Sequence, residues 1–544
     1  MQLIKSGYFK KLASKQHLIS IEIPAKRGNI YDRNLRELAI SLNMNSIYAV
    51  PREIKDKEYV SDILVPILRL DKNFLLDRLS RDKGFIWLKR QVDDITAYKI
   101  KTLRIDYIDT IKEGKRFYPK GELASHVIGF VGTDNIGLEG IELSYDRYLR
   151  GRNGTKIINR DAKKREVVHL DYKFIPPLDG YNLVLTIDEM IQFFTERELD
   201  RIYKEARCKS VSVIVMDPTT GEILALANRP TFEPNSSKRY SVDGRRNRAI
   251  TDMFEPGSVF KVVTASAALE ENVVDLEESF FCENGEFGIS NHTLHDHTPH
   301  GYLKFREVIE KSSNIGTVKV AMRLGQEKLY RYSKLYGIGT RTNIELPGEA
   351  GGFIRAHRLW SKLSIAAIPI GQEVAVTTLQ LACLISTIAN NGIFMKPMII
   401  KKITDSNGET IKKLEPVALR RVICESTANK MKAILKGVVE RGTGQKAKLD
   451  GFSSAGKTGT AQKVEPNGTY SHRRFVASFI GFAPVENPRI AIAVVIDEPY
   501  PFYYGGVVAA PLFQRIASDT LKYLKVEQKN IFVKKNQDLI TLED

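Results

Sequence analysis

The segment Phe254-Glu-Pro-Gly-Ser258-Val-Phe-Lys261-Val-Val-Thr-Ala-Ser266 constrains the fold more than any other stretch of this 544-residue chain. Beyond Pro256-Gly257, residues Val259, Phe260, Val262, Val263, Ala265, Ala267, Ala268 and Leu269 leave hardly any polar face. A helix that is apolar all round is stable only when covered all round, so this one is predicted to be central and buried. Pro-Gly places Ser258 at its opening, where unpaired N–H groups and the helix dipole favour negative charge. Lys261 follows nearly one turn later, on the same face. Two readings stand side by side. The lysine can snorkel to the surface from an ordinary helix end. Alternatively it is drawn inside, loses hydration, falls in pKa, and as a neutral amine takes the proton of the neighbouring hydroxyl. Spacing does not choose between them, because Ser-x-x-Lys also occurs at Ser80/Lys83 and Ser454/Lys457.

The length predicts two or three domains. Residues 1–20 are basic and weakly amphipathic, and 1–25 are set apart as a leading stub. From 26 to 175 short alternating segments such as Ser46–Val50 and His126–Val131 read as strands of an irregular module. The composition shifts at Pro176-Pro177, a predicted hinge. A second domain is predicted over 180–525 and a tail over 526–544. Within the second domain Leu183–Asp188 reads as a strand, with a helix running to Glu205. Val211–Met216 and Glu222–Ala227 flank Asp217-Pro-Thr-Thr-Gly221 as a β-hairpin. Phe475–Phe482 and Ile490–Ile496 form another strand pair, and helical patterns run around 258–270, 303–324 and 372–391. Strands at both ends with helices between them predict an α+β domain on one antiparallel sheet.

A formal net charge of +17 first suggests nucleic acid. The basic residues are spread along the chain without a helix-turn-helix, zinc or aromatic-basic signature, so an anionic envelope carries roughly equal weight as the partner until motifs decide. Cys208, Cys282, Cys383 and Cys424 stand alone and define no disulfide. No signal peptide and no run of about eighteen apolar residues is present.

Two more polar elements come after the Ser258 helix. Lys311-Ser312-Ser313-Asn314 reads alone as a helix cap or loop. In Gly456-Lys457-Thr458-Gly459-Thr460-Ala461, a glycine between two threonines lets a ligand backbone approach an edge strand, and the lysine and hydroxyls suit a carboxylate. Together and in this order, the three elements resemble the S-x-x-K, S-x-N and K-T-G triplet of serine penicillin-binding proteins and related β-lactamases. The resemblance extends to Arg27-Gly-Asn-Ile-Tyr-Asp-Arg-Asn34, Arg116-Phe-Tyr-Pro119 and Gly137-Leu-Glu-Gly-Ile-Glu142, which are similar to motifs of the non-catalytic pedestal of class B enzymes. Asp217–Gly221, Arg246-Asn-Arg-Ala249 and Gly371-Gln372 resemble motifs of the transpeptidase domain. The resemblance therefore runs from about residue 20 to about 520.

The family implies a transpeptidase domain of the β-lactamase/penicillin-binding-protein type on an elongated, mostly-β pedestal. It implies peptidoglycan stem peptides as substrate, β-lactams as covalent inhibitors, and no cofactor, metal or nucleic acid. The implied roles are Ser258 as nucleophile, Lys261 as general base, Ser312 as proton relay, and Asn314 orienting Lys261. Lys457 gives positive potential, with Thr458, Gly459 and Thr460 binding substrate and backbone N–H groups of Ser258 and Thr460 forming the oxyanion hole. Ser-Ser-Asn and Asp497-Glu-Pro…Tyr503-Tyr-Gly-Gly506-Val-Val-Ala-Ala-Pro511 resemble the division or sporulation type. The elongation type is the alternative, followed by a β-lactam sensor or hydrolase and an inactive scaffold. Gly7-Tyr8-Phe9…Gln16 resembles the stretch just after the membrane helix in this family. A full-length form anchored once in the cytoplasmic membrane, with the catalytic domain outside, is therefore expected. A membrane glycan polymerase of the SEDS type and division proteins are the expected partners. The cluster His292, His295, His297 and His300 invites zinc by residue type, but the family resemblance implies none.

Overall fold

In the computed structural model, which describes residues 18–159, 174–289 and 292–528, the apolar helix is buried from Lys261 to Leu269. It is embedded in a three-layer arrangement. The central sheet contains β1 (Ser210–Met216), β2 (Ile223–Arg229), β3 (Ala455–Val464), β4 (Tyr470–Ala483) and β5 (Ile490–Asp497). Its spatial order is β2-β1-β5-β4-β3, antiparallel throughout, with β3 at one edge. The helices are α1 (Glu189–Glu205), α2 (Lys261–Glu270), α3 (Asn314–Leu324), α4 (Thr378–Ala389), α5 (Glu425–Glu440) and α6 (Gly505–Tyr523).

Alternation along β1 explains the layering. Val211, Val213 and Val215 join the core shared with Leu199 of α1 and Phe513 of α6. Ile214 and Met216 join the opposite core with Val263 of α2 and Leu384 of α4. Both faces of β1 are therefore buried, and the strand reads as a continuous apolar run. Phe260, Val262, Val263 and Leu269 are almost wholly buried, and each such side chain contributes about 1.5–3 kcal/mol.

Two predicted helices are shorter than their patterns. The 303–324 stretch is split into Phe305–Glu310 and α3, with Ser312 between them at φ +62°. The 372–391 stretch begins only at Thr378, because Thr377 and Gln380 form a capping box.

In the amino-terminal half, Glu37–Ala49 pairs with Ile86–Val92 on one side and Ile108–Phe117 on the other. Helices Lys57–Leu68, Lys72–Ser80 and Asp94–Thr102 cover it, each capped by an aspartate (Asp56, Asp71, Asp93). None of the three is announced by the alternating pattern. His126–Val131 is not the predicted strand. Ser125–Ile128 form one helical turn, and Val131 makes only a single bridge to Gly137. All four residues of that turn are buried, so packing, not alternation, set the pattern.

The three motifs of this half converge on one buried ion network. Arg27 donates to Glu142 at 2.7 Å and Asp146 at 2.6 Å, and Arg116 reaches the other Glu142 oxygen at 2.6 Å. The predicted hinge at Pro176-Pro177 is followed directly by a seam between the halves. Asn182–Leu185 lies parallel to Ile30–Tyr31 and antiparallel to Ile400–Thr404 in one seven-stranded sheet. Gly180 N–H donates to Lys26 O at 2.9 Å, so backbone bonding continues across the boundary. The 1–17 part of the leading stub and residues 529–544 of the tail lie outside the described residues.

Candidate active site

Ser258 sits in a 3-10 turn, Gly257–Phe260, that runs directly into α2. The turn is sharp because Gly257, at φ +57°, donates to Gly371 O at 3.1 Å. Gly371 is at φ +85°, and a Cβ there would lie 2.1 Å from Gly257 O, so no other residue fits. This explains the Gly371-Gln372 motif, which lies far from the turn in sequence.

Lys261 is fully buried. Its Nζ donates to Ser312 O at 2.6 Å, Ser312 Oγ at 3.2 Å and Asn314 Oδ1 at 2.7 Å. Burial pushes its pKa down to about 7, opposed by the Asp296 charge. The snorkelling reading is therefore excluded. Among the described residues, Ser312 and Asn314 rather than Ser258 Oγ hold the amine in place. Catalytic bonds between a nucleophile and its base commonly tighten only when substrate is bound.

Lys457 enters from β3 and is also fully buried. Its Nζ donates to Ser312 Oγ at 2.9 Å and Thr458 O at 3.2 Å. Burial, then repulsion from Lys261, holds its pKa well below the usual lysine range. The positive potential expected of Lys457 thus needs a counter-charge, which its neutral hydroxyl and carbonyl partners do not supply. An incoming carboxylate would provide it. Thr458 Oγ1 lies 2.7 Å from Thr443 Oγ1, and Thr460 Oγ1 accepts from Gly505 N–H at 3.0 Å. Gly459 is also required by the protein's own packing. A Cβ there would lie 2.3 Å from Ser478 Oγ and 2.9 Å from Pro256 O. The glycine admits the protein's own Ser258 turn against the edge strand.

The structure thus gathers the three motifs: Ser312 bridges both lysines, and the turn bearing Ser258 packs on Gly459. Asp296 and Thr443 join them without a sequence signal of their own. The histidines follow another logic. His295 O accepts from Asn314 Nδ2 at 2.8 Å, and the His297 ring lies 5.1 Å from that of Tyr504. A cavity of about 610 Å³ is lined by none of these site residues. It lies farther along β3, beside Gln462, Lys463, Arg246 and Glu255. The two buried lysines, rather than the volume, locate the chemistry.

A helix-sandwiched antiparallel sheet whose edge strand brings Lys457 to the same Ser312 hydroxyl that the buried Lys261 of α2 contacts defines a penicillin-binding type of transpeptidase domain. Residues 211–518 match the family model described as the penicillin-binding protein transpeptidase domain, and 22–185 match the penicillin-binding protein dimerisation domain. The chain is 36% identical over 532 residues to the probable peptidoglycan D,D-transpeptidase PenA of Neisseria meningitidis, covering 97% of this chain and 89% of that protein. It is 34% identical over 534 residues to the peptidoglycan D,D-transpeptidase FtsI of Escherichia coli, covering 96% and 87%. The crystal structure of penicillin-binding protein 3 from Mycobacterium tuberculosis complexed with ampicillin is similar, with a TM-score of 0.74, 29% identity, and 94% and 98% coverage. The chain belongs to the class B penicillin-binding protein family of peptidoglycan D,D-transpeptidases.

Proposed function

We propose that the chain cross-links stem peptides through an acyl-enzyme on Ser258, in wall synthesis at the division septum. The observation that carries the reading is the buried Lys261 amine, held by Ser312 O and Asn314 Oδ1 one turn after Ser258. At neutral pH a large fraction of this amine is unprotonated. Lys261 takes the Ser258 proton as Oγ attacks the penultimate D-Ala carbonyl. Backbone N–H groups of Ser258 and Thr460 receive the oxyanion, roughly 3–4 kcal/mol per donor in comparable sites. As the C–N bond breaks, the proton passes through Ser312 Oγ, which both lysines contact, to the departing D-Ala amine. A neighbouring stem-peptide amine then attacks the ester, loses its proton to the same base, and restores Ser258.

The donor peptide lies along β3 as an added strand. Its carboxylate meets Thr458, Thr460 and Lys457 and restores the charge on Lys457. A β-lactam undergoes the same first step, but its leaving nitrogen remains tethered and obstructs the acceptor. The ester therefore persists. The septal assignment rests on Ser312-Ser313-Asn314 and on the 497–511 segment.

The amino-terminal half is the docking side for a membrane glycan polymerase of the SEDS type and division proteins. Exposed Tyr59, Ile95 and Tyr98 on its helices, 64%, 70% and 69% accessible, support this. Among the described residues no helix is long and apolar enough to cross a membrane. The resemblance of Gly7–Gln16 to the stretch that follows the family's membrane helix supports a full-length form anchored once in the cytoplasmic membrane, with the catalytic domain on the extracytoplasmic side.

The test is intact-protein mass spectrometry with a penicillin. The wild type should gain the drug's mass and Ser258→Ala should not. A mass gain by Ser258→Ala removes the nucleophile assignment, and rapid nitrocefin turnover would favour a hydrolase.

A further inference from the structure

We infer that Asp296 is the positioning residue that sets Asn314, and through it Lys261, for proton transfer; the inference rests on the proposed roles of Ser258 and Lys261. Asp296 Oδ1 accepts from the backbone N–H groups of Asn314 at 2.5 Å and Ile315 at 3.0 Å. Its Oδ2 accepts from Ser313 Oγ at 2.6 Å. Those N–H groups open α3, which has no intrahelical partners for them. Their acceptor comes from the loop after the His292–His295 strand, 18 and 19 residues earlier in the chain.

The same strand fixes the Asn314 side chain. Its Nδ2 donates to His295 O at 2.8 Å, so Oδ1 faces Lys261 Nζ at 2.7 Å. The flipped amide would set its oxygen against the His295 carbonyl and its NH₂ against the lysine amine, losing both bonds. The loop is itself anchored by Asp296 N–H to Gly285 O at 3.0 Å and Cys282 N–H to Gly301 O at 2.7 Å. The sequence that invited a metal is thus a clamp on the candidate base.

Helix capping alone would be a structural role, and Ser313 already caps Gly316 at 2.9 Å. The charge on Asp296 does more, because it acts on Lys261 against the effect of burial. The charged and titratable groups around it are few. Lys261 and, through Ser312, Lys457 face it from α2 and β3. Cys282 lies behind Ser313 at 3.4 Å, and Lys319 of α3 is paired with Glu283. His295 is beside Glu286, and His297 is against Tyr504.

Two readouts on the full chain test this. The first is the second-order rate of acylation by a penicillin across pH. The second is competitive acetylation of Lys261 with peptide mass spectrometry, which titrates the amine without needing activity. Asp296→Asn should slow acylation roughly 10- to 100-fold, the scale of a misplacement near 1 Å. It should also move the Lys261 titration to lower pH, because an opposing charge is lost. Asp296→Glu should recover part of the rate and return the titration towards the wild-type value. A titration moving to higher pH would mean that the pocket has opened to water. That outcome, an unchanged titration, or an unchanged rate overturns the proposal. If the wild type itself resists acylation, the function reading fails separately, and the acetylation titration still decides whether Asp296 acts on Lys261.

Discussion

Lys261 and Lys457, both fully buried, donate to Ser312 Oγ at 3.2 and 2.9 Å. Burial lowers both pKa values, and the repulsion between the amines lowers that of Lys457 further. Two ammonium groups this close and this desolvated cannot both persist at neutral pH. The site therefore holds a neutral amine, which the proposed mechanism uses as its base without a histidine. Because the base must be neutral to act, the acylation rate should rise with pH through an inflection near 7, the value to which burial brings Lys261. A plot of penicillin acylation rate against pH measures this directly, and an inflection near 10 would identify a solvated lysine. Lys261→Ala should reduce the rate by about 10²–10⁴-fold, the range of a lost general base, while leaving thermal unfolding nearly unchanged or slightly improved. The last expectation arises because the variant removes a buried, poorly solvated amine.

The turn Gly257–Phe260 and the edge strand β3 meet so closely that one glycine determines the geometry of the site. With any side chain at 459, a Cβ would press on Ser478 Oγ, Pro256 O and Val259, at 2.3, 2.9 and 3.0 Å. Backbone must move, at a cost of about 1–3 kcal/mol. Gly459→Val should lower the unfolding free energy by that amount and also abolish penicillin acylation, since the displaced turn carries Ser258. Stability measured by urea unfolding, alongside mass labelling, separates the two effects. Unimpaired labelling would show that the turn does not rest on β3. The Ser312 turn is comparable: at φ +62° it breaks the predicted 303–324 helix so that one hydroxyl reaches both lysines.

Across the whole molecule, the two halves are joined by the shared sheet and by polar contacts such as Ala124 N–H to Glu196 at 2.7 Å, and the amino-terminal half is held internally by its own buried ion network. Removing one partner from the Arg27–Glu142–Arg116 network strands a buried charge, which costs about 3–5 kcal/mol. Glu142→Ala should therefore lower the first thermal transition clearly, and calorimetry will register it. His126 lies buried at the junction, bonded to the Gly244 backbone beside Arg229 and Arg248, with its pKa lowered to about 3. Its unfolded form takes a proton near pH 6.5 and its folded form does not, so stability is full above 6.5 and falls as pH drops towards 3. The loss is on the order of 5 kcal/mol over that window. His126→Gln should flatten this part of the stability–pH curve in urea titrations. An unchanged slope would place the acid sensitivity elsewhere.

Periodicity and motif order were legible along the chain because they are local properties. The apolar run after Ser258 had to be a buried helix, the hairpin across Asp217–Gly221 had to form, and the three polar elements had to appear in that order. Other features were settled only when distant segments met. Lys261 is a desolvated amine rather than a snorkelling end because Ser312 and Asn314, distant in the chain, take up its hydrogen bonds in a buried site. Asp296 acts on Asn314 across 18 residues. His126–Val131 holds a buried helical turn rather than a strand, and the chain just beyond Pro176-Pro177 enters a sheet shared by both halves. Burial and hydrogen-bond partners depend on the surroundings that the fold supplies, whereas a hydrophobic period depends only on neighbours along the chain.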